Sequence, residues 1–312
     1  MNPKKTNTLA LMMIRIIAGI VVVILAFLIG RILIHHAAKM MIMSRNMPTG
    51  RLPHISWKFL TTSSKAFTSG GGIGIQLFNS FYLLILTLII SFPISLGAGI
   101  FLAEYAPKNA LTNVIRMAIE ILSSLPSVVV GLFGFLLFVV QFKLGFSILS
   151  GAIALTFFNL PLLTRNIEDS LNSVPKLQRE AGLALGLSKW HTVIKVILPE
   201  AIPGIVTGIV LCAGRIFGEA AALIYTAGQS ATSVDFTKWN PFDASSPLNL
   251  FRPAETLAVH IWKINSEGIM PDAEQISAGA SAVLIIAVLI FNLSARFLGQ
   301  KLYQHLTAAK QG

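Results

Sequence analysis

Long apolar runs dominate this chain, and short polar segments separate them. A membrane-spanning helix needs about 20 mostly apolar residues. The pattern predicts six such helices, at about residues 9–34, 76–103, 114–140, 147–165, 201–227 and 277–299. The third contains Pro126 and the fourth contains Pro161. Because proline removes a backbone hydrogen bond from a helix, we expect kinks at these two positions.

Composition agrees with a membrane protein. The 312 residues are 54% hydrophobic and 12% charged, with a mean hydropathy of +0.74, whereas soluble domains carry about 25% charged residues. We therefore expect an all-α membrane protein, a single bundle of six helices. Lys4 and Lys5 precede the first apolar run, as in a signal peptide, but from Ile16 that run continues to Ile34. The apolar region of a signal peptide is only about 7–15 residues long, so we interpret this run as an uncleaved first span.

The net charge of +11 admits two interpretations. Nucleic-acid binding is disfavoured, because the basic residues are scattered through loops without an array of stacking aromatics. Contact with anionic lipid headgroups is favoured, and attraction of an anionic substrate can add to it. With the N-terminus inside, thirteen basic residues lie inside and ten outside, which favours that orientation weakly. The basic loop 35–73 opposes it, and the acidic segment between the last two spans supports it.

Sequence signatures of enzymes and metal sites are missing. The Gly-rich run 69–74 lacks the spacing of a phosphate-binding P-loop, and we interpret it as a flexible turn before the second span. The six histidines have no metal-ligand spacing, and no nucleophile elbow appears. The single Cys212 rules out a disulfide within the chain. We expect no enzyme activity, cofactor or metal, and if ATP drives this protein, another chain must hydrolyse it.

A polar segment between the fourth and fifth spans carries the most specific motif. It reads Glu180-Ala181-Gly182-Leu183-Ala184-Leu185-Gly186, then nine residues, then Val196-Ile197-Leu198-Pro199. Pro175 suits a helix start, Gly186 suits a left-handed helix end, and Ser188 can cap a second helix through Ile197. The segment resembles the EAA loop of ABC-importer permeases, with Gly182 and Val196 as mild departures. The resemblance implies a cytoplasmic handle, moved by an ATPase subunit, in which Glu180, Ala181, Gly182, Gly186, Leu198 and Pro199 contact or shape the coupling surface.

Arg215 and Glu219 form a second candidate site, in the fifth span. Residues four apart share one face of a helix, and ionisable residues at membrane depth are functional candidates by default. Two interpretations stay open: oxyanion recognition by the Arg215 guanidinium, or a structural ion pair with Glu219. Arg116 and Glu120 repeat the spacing, and there we favour a pair at the membrane interface. The cluster of Arg165, Glu168 and Asp169 is expected to be an ordinary hydrated junction.

Further motifs are similar to those of the phosphate-type ABC permeases, and those of the C-terminal part resemble the PstA subunit rather than its PstC partner. The resemblance covers about residues 70–300 and divides the chain into a first helix with an external loop (1–70), a permease core (71–303, coupling loop about 175–199) and a tail (304–312). The motifs are 70–74, 101–107, 125–134, 218–228, 253–261 and 271–273.

This resemblance implies the architecture of a type I ABC importer and a set of partners. They are a homologous PstC-type permease, two copies of a PstB-type ATPase, a PstS-type external phosphate-binding protein, and inorganic phosphate. By the same resemblance, Arg215 is expected to face the anion path. The alternatives are an ABC permease for sulfate, molybdate or tungstate, and, more distantly, an ion-coupled secondary transporter or a non-transporting scaffold.

Overall fold

The computed structural model describes residues 12–24, 26–31, 57–64, 71–230, 232–267 and 272–308. The predicted first loop, 35–73, falls mostly outside them, as do parts of the segments 1–70 and 304–312. The helices in these ranges are α1 Met12–Arg31, α2 Trp57–Thr61, α3 Gly74–Ile100, α4 Ala110–Ser123, α5 Ser127–Gly134, α6 Ile148–Asn172, α7 Lys176–Ala184, α8 Lys189–Thr192, α9 Leu198–Gly218, α10 Ala221–Thr226, α11 Leu257–Glu267 and α12 Ala273–Ala308. Three of them continue through a π-helical segment: α3 into Phe101–Tyr105, α5 into Phe135–Gln141, and α8 through Val193–Ile197 into α9.

Within the described ranges, five helical segments are long and apolar enough to cross a membrane: Met12–Arg31, Gly74–Tyr105, Ile148–Asn172, Lys189–Gly218 and Ala273–Leu306. They correspond to the first, second, fourth, fifth and sixth predicted spans. The predictions at α6 and α12 end too early, because each helix continues into polar sequence by several residues. Pro161 lies inside α6 without ending it.

The third predicted span, 114–140, is wrong as a single helix. Two helices replace it, Ala110–Ser123 and Ser127–Gln141, and their axes differ by 96°. The break lies at Pro126, which has extended backbone immediately before α5. Its fixed ring prevents the amide hydrogen bond that would continue α4, so the expected kink is a full change of direction. Together the two helices are long and apolar enough for a sixth span.

The fifth predicted span, 201–227, is also wrong in its second half. The helix ends at Gly218, and Glu219 has extended backbone with φ −75° and ψ 117°. A short helix, α10, then begins at Ala221. α10 packs closely on α5, since a Cβ at Gly131 would lie 2.8 Å from the Cα of Ala222. The apolar pattern continues across the break because both helices are buried in the bundle.

The described residues contain three buried apolar clusters, and two of them join α3, α6 and α9 at different levels of the bundle. One packs Leu83 and Leu84 of α3 with Leu155 of α6 and Phe217 of α9. The other lies at the end of the bundle where α7 is found, and it packs Ile167 and Leu171 of α6 with Val193 and Ile197 before α9 and with Ile100 of α3. The α7 end is therefore built around the ends of α3 and α6.

The opposite end of the bundle contains a buried polar network that tethers the segment between α10 and α11. Arg252 is 4% exposed, donates to Asn79 Oδ1 at 2.7 Å and to the carbonyl oxygen of Pro247 at 3.0 Å, and burial lowers its pKa to about 10. Glu255 is 2% exposed and accepts from Gln76 Nε2 at 2.9 Å. Because buried polar groups need partners, Asn79 and Gln76 of α3 position this segment.

Candidate functional site

The segment between α6 and α9 turns at a glycine, as predicted. Pro175 lies one residue before α7, at its N-cap. Gly186 has φ +79°, and the amide of Leu187 donates to the carbonyl of Gly182 at 3.2 Å, which is the hydrogen-bond pattern of a glycine-terminated helix. The Ser188 hydroxyl accepts from the amide of His191 at 3.3 Å and caps α8. The first helix, the glycine end and the cap are confirmed, but the second helix does not end at Ile197 and continues without a break into α9, to Gly218.

The residues of the predicted coupling motif differ in exposure. Glu180 and Ala181 are exposed, and Gly182 is buried against α8. A Cβ at Gly182 would lie 2.7 Å from Cγ2 of Thr192, closer than real Cβ contacts come. The departure from alanine at this position therefore has a structural cause, the close packing of α7 on Thr192. Leu198 and Pro199 are partly buried at the start of α9.

Exposed apolar side chains surround the turn. Leu177 is 74% exposed and Leu185 is 83% exposed. Trp190 is 55% exposed on α8. Apolar groups that protrude together from a polar loop typically mark a contact surface for another protein.

Arg179 and Glu104 join α7 to the end of α3, and sequence reasoning missed both. Arg179 Nε donates to Glu104 Oε1 at 2.8 Å, and the other guanidinium nitrogens of Arg179 donate to the carbonyls of Leu171 and Val174 at the end of α6. The Glu104 side chain is 8% exposed and that of Arg179 is 19% exposed. A lone carboxylate inside the apolar stretch 101–106 was the available signal, because such a group needs a cationic partner.

The contacts of Arg116 contradict two predictions, its pairing with Glu120 and the place of Glu168 in a hydrated junction. Its Nε donates to Glu168 Oε1 at 2.7 Å, whereas Glu120 lies 3.8 Å from Arg165. The Glu168 side chain is 6% exposed, so it belongs to a buried pair between α4 and α6 rather than to a hydrated junction. Spacing of four residues predicted the partner within α4, but the packing of α4 against α6 decided it.

Arg215 lies on α9 beside α6. Its guanidinium carbon is 3.4 Å from the centroid of the Phe158 ring, a cation–π contact. Its side chain is only partly buried. Among the described residues, no carboxylate lies within ion-pair distance of Arg215.

Glu219 does not share a helical face with Arg215, because α9 ends between them. Glu219 is 8% exposed, and its Oε1 accepts from the amide of Ala222 at 3.0 Å. The carboxylate therefore satisfies one of the free amides at the start of α10. Of the two interpretations left open for Arg215 and Glu219, the ion pair is not formed.

The chain resembles transport proteins along most of its length. Residues 95–307 match the family described as binding-protein-dependent transport system inner membrane component. A probable ABC transporter permease protein, YqgI of Bacillus subtilis, is 52% identical over 99% of this chain and 100% of its own length. The phosphate transport system permease proteins PstA of Xylella fastidiosa and Yersinia pestis are 35% and 36% identical, over 79% and 75% of this chain and 81% and 74% of theirs.

The fold is that of an ABC-importer permease. A solved structure of the MetNI methionine ABC transporter in an inward-facing conformation superposes with a TM-score of 0.51, covering 74% of this chain and 94% of that chain at 17% identity. The chain belongs to the binding-protein-dependent transport system inner membrane component family. It is thus a multi-pass bacterial membrane protein and the permease subunit of an ABC importer, which works with an ATPase subunit and a substrate-binding protein.

Proposed function

We propose that this chain is one of two permease subunits of an importer of inorganic phosphate. The observation that carries the substrate is the 35–36% identity to two phosphate transport permeases over about three quarters of the chain.

Arg215 provides the chemistry for an anion path in this proposal. A guanidinium offers several N–H donors to an oxyanion and keeps its charge. The Phe158 ring holds that charge in place without neutralising it, so the guanidinium retains attraction for a passing phosphate. Glu219 then has a different role, the support of α10 through its hydrogen bond from the Ala222 amide.

The α7–α8 turn provides the contact with the ATPase. Its exposed positions, Glu180 and Ala181, together with the neighbouring leucines, form the docking surface. Gly182 and Gly186 set the angle between α7 and α8, while Leu198 and Pro199 join that unit to α9. ATP binding by two ATPase copies moves this unit in both permeases, and the shared cavity turns outward to receive phosphate from the external binding protein.

Uptake of radiolabelled phosphate tests the proposal. The chain is reconstituted in proteoliposomes with its second permease, the ATPase and the binding protein, with ATP inside. We expect ATP-dependent uptake that sulfate and molybdate do not inhibit. ATP-dependent uptake of sulfate or molybdate instead would keep the importer and replace the substrate. Loss of uptake on collapse of an ion gradient, with ATP present, would contradict an ATP-driven mechanism.

A further inference from the structure

Four charged side chains at the α7 end of the bundle form two ion pairs on the same two helix ends, and we name them together the arginine clamp: Glu104, Arg116, Glu168 and Arg179. Each arginine pairs with one of the two carboxylates, at 2.7 Å and 2.8 Å. Each also donates to backbone carbonyls of a neighbouring helix end. Both carboxylates are more than 90% buried.

The two arginines contact the same two helix ends, those of α3 and α6. Arg179 of α7 reaches Glu104 at the end of α3 and the carbonyl of Leu171 in α6. Arg116 of α4 reaches Glu168 in α6 and the carbonyl of Leu102 at the end of α3. The last carbonyls of a helix lack partners within the helix, and the arginines donate to such groups at Leu102 and Val174, while the Leu171 carbonyl also accepts from the amide of Val174.

Apolar packing joins the same elements. Val193 and Ile197, which follow α8, lie in one buried cluster with Ile167 and Leu171 of α6 and with Ile100 of α3. Outside that cluster, the Lys189 ammonium lies 4.8 Å from the centroid of the Tyr105 ring, in the last turn of α3. The α7–α8 turn therefore contacts both helix ends through charges, a cation–π contact and buried side chains.

We infer that the arginine clamp makes α7, the ends of α3 and α6, and α4 a single mechanical unit. Movement of α7 is transmitted through Glu104 to α3 and through Glu168 to α4. α4 precedes the 96° break at Pro126, so the unit ends at a joint where the chain changes direction. The clamp thereby carries a displacement of the docking surface to the broken third span.

Charge explains why these contacts transmit movement. Separating a buried pair leaves an uncompensated charge in a poorly solvated position, which is strongly unfavourable. The four helices therefore move together at lower cost than they move apart. By contrast, Asp169 is beside Glu168 in sequence, but its side chain is 64% exposed and its partner Arg165 lies in the same helix, so that pair transmits nothing between helices.

The inference rests on the proposed docking of an ATPase at α7, and a coupling ratio tests it. Glu104→Gln and Arg179→Met are made singly and together, with Asp169→Asn as the matched control. We expect each single variant to retain the ATPase on purification and to move about tenfold less substrate per ATP hydrolysed. The double variant should be no worse than Arg179→Met alone, because Glu104→Gln removes a contact that this variant has already lost. Asp169→Asn should stay within about twofold of the wild type.

A second measurement does not depend on the substrate. Spin labels are attached at Lys176 on α7 and Leu111 on α4, which are both exposed, with the buried Cys212 replaced by alanine. In the assembled transporter we expect one narrow distance distribution that an ATP analogue leaves unchanged. Glu104→Gln and Glu168→Gln should each broaden it.

The outcomes separate the inference from the proposed function. If the wild type takes up no phosphate but the distances behave as described, the substrate is wrong and the clamp stands. If Glu104→Gln keeps both the wild-type distance distribution and the wild-type coupling ratio, the clamp is refuted. Multiplicative losses in the double variant would also refute it, since they would show two independent effects.

Discussion

The guanidinium carbon of Arg215 lies 3.4 Å from the centroid of the Phe158 ring. The contact joins α9 to α6 and fixes the direction of a cation that has no carboxylate partner among the described residues. An aromatic ring attracts a cation through its quadrupole and leaves the N–H donors at the edge of the guanidinium free. This arrangement suits a group that meets an anion for a short time.

Substitutions at this contact should separate charge from orientation. Arg215→Gln removes the charge and should abolish uptake. Arg215→Lys keeps the charge without the planar fork, and we expect uptake to fall by at least about tenfold. Phe158→Leu removes the cation–π contact, for which about 0.5–2 kcal/mol is typical, so a loss of about two- to thirtyfold is expected. Initial rates of phosphate uptake check these values. Wild-type uptake by Arg215→Gln would remove Arg215 from the path.

The effect of replacing Gly182 should depend on the size of the side chain at position 192. Gly182→Ala places a Cβ 2.7 Å from Thr192 Cγ2, and overpacking of this kind typically costs about 1–3 kcal/mol. We expect less ATPase to co-purify with the permease because α7 is displaced from α8. Thr192→Ala removes the opposing methyl group, so the double variant should recover the wild-type amount. Equal losses in the single and double variants would contradict the packing argument.

The substitutions that position 186 tolerates should depend on whether the new residue can adopt a positive φ. Its φ of +79° is left-handed, and no atom would contact an added Cβ. Gly186→Ala should cost about 1–2 kcal/mol of conformational energy, and Gly186→Asn less. Gly186→Pro cannot adopt this φ, because the ring fixes it near −65°.

For Gly186→Pro we expect normal membrane insertion with loss of transport. Membrane fractionation and uptake in the same cells measure the two properties, with Gly186→Asn as the matched control. Wild-type transport by the proline variant would show that the geometry of this turn does not matter for coupling.

Glu219 should act through hydrogen bonding rather than through a pair with Arg215. Glu219→Gln retains an oxygen that can accept from the Ala222 amide, so the purified permease should keep its thermal stability. Glu219→Ala leaves that amide without its partner, and losses of about 1 kcal/mol are typical for a helix cap. Thermal unfolding in detergent distinguishes them. If the glutamine and alanine variants lose equal stability, the negative charge matters and the cap does not.

The predictions succeeded where local chemistry decides the structure. The length of each apolar run predicted five of the six spans, since burying backbone in lipid requires a continuous helix of membrane length. The turn at Gly186 and the cap at Ser188 were also predictable, because both depend on hydrogen bonds between residues close in sequence.

The errors lie where the same apolar pattern is compatible with more than one course of the backbone. The chain is apolar on both sides of Pro126 and of Glu219, so the apolar pattern does not distinguish one span from two helices meeting at a break. The partner of Arg116 illustrates the same limit. Glu120 has the right spacing on the helix, yet Glu168 on α6 is the residue that α4 packs against.

The sequence by itself determined the class of protein, five of the spans and the glycine-terminated end of α7, because these depend on hydrophobicity and short-range hydrogen bonds. The tertiary structure alone decided the pairing of Glu104 with Arg179, the pairing of Arg116 with Glu168, and the absence of an ion pair between Arg215 and Glu219. Arg179 and Glu104 are 75 residues apart in the chain. Contacts at such separations follow from how the helices pack, which no local pattern encodes.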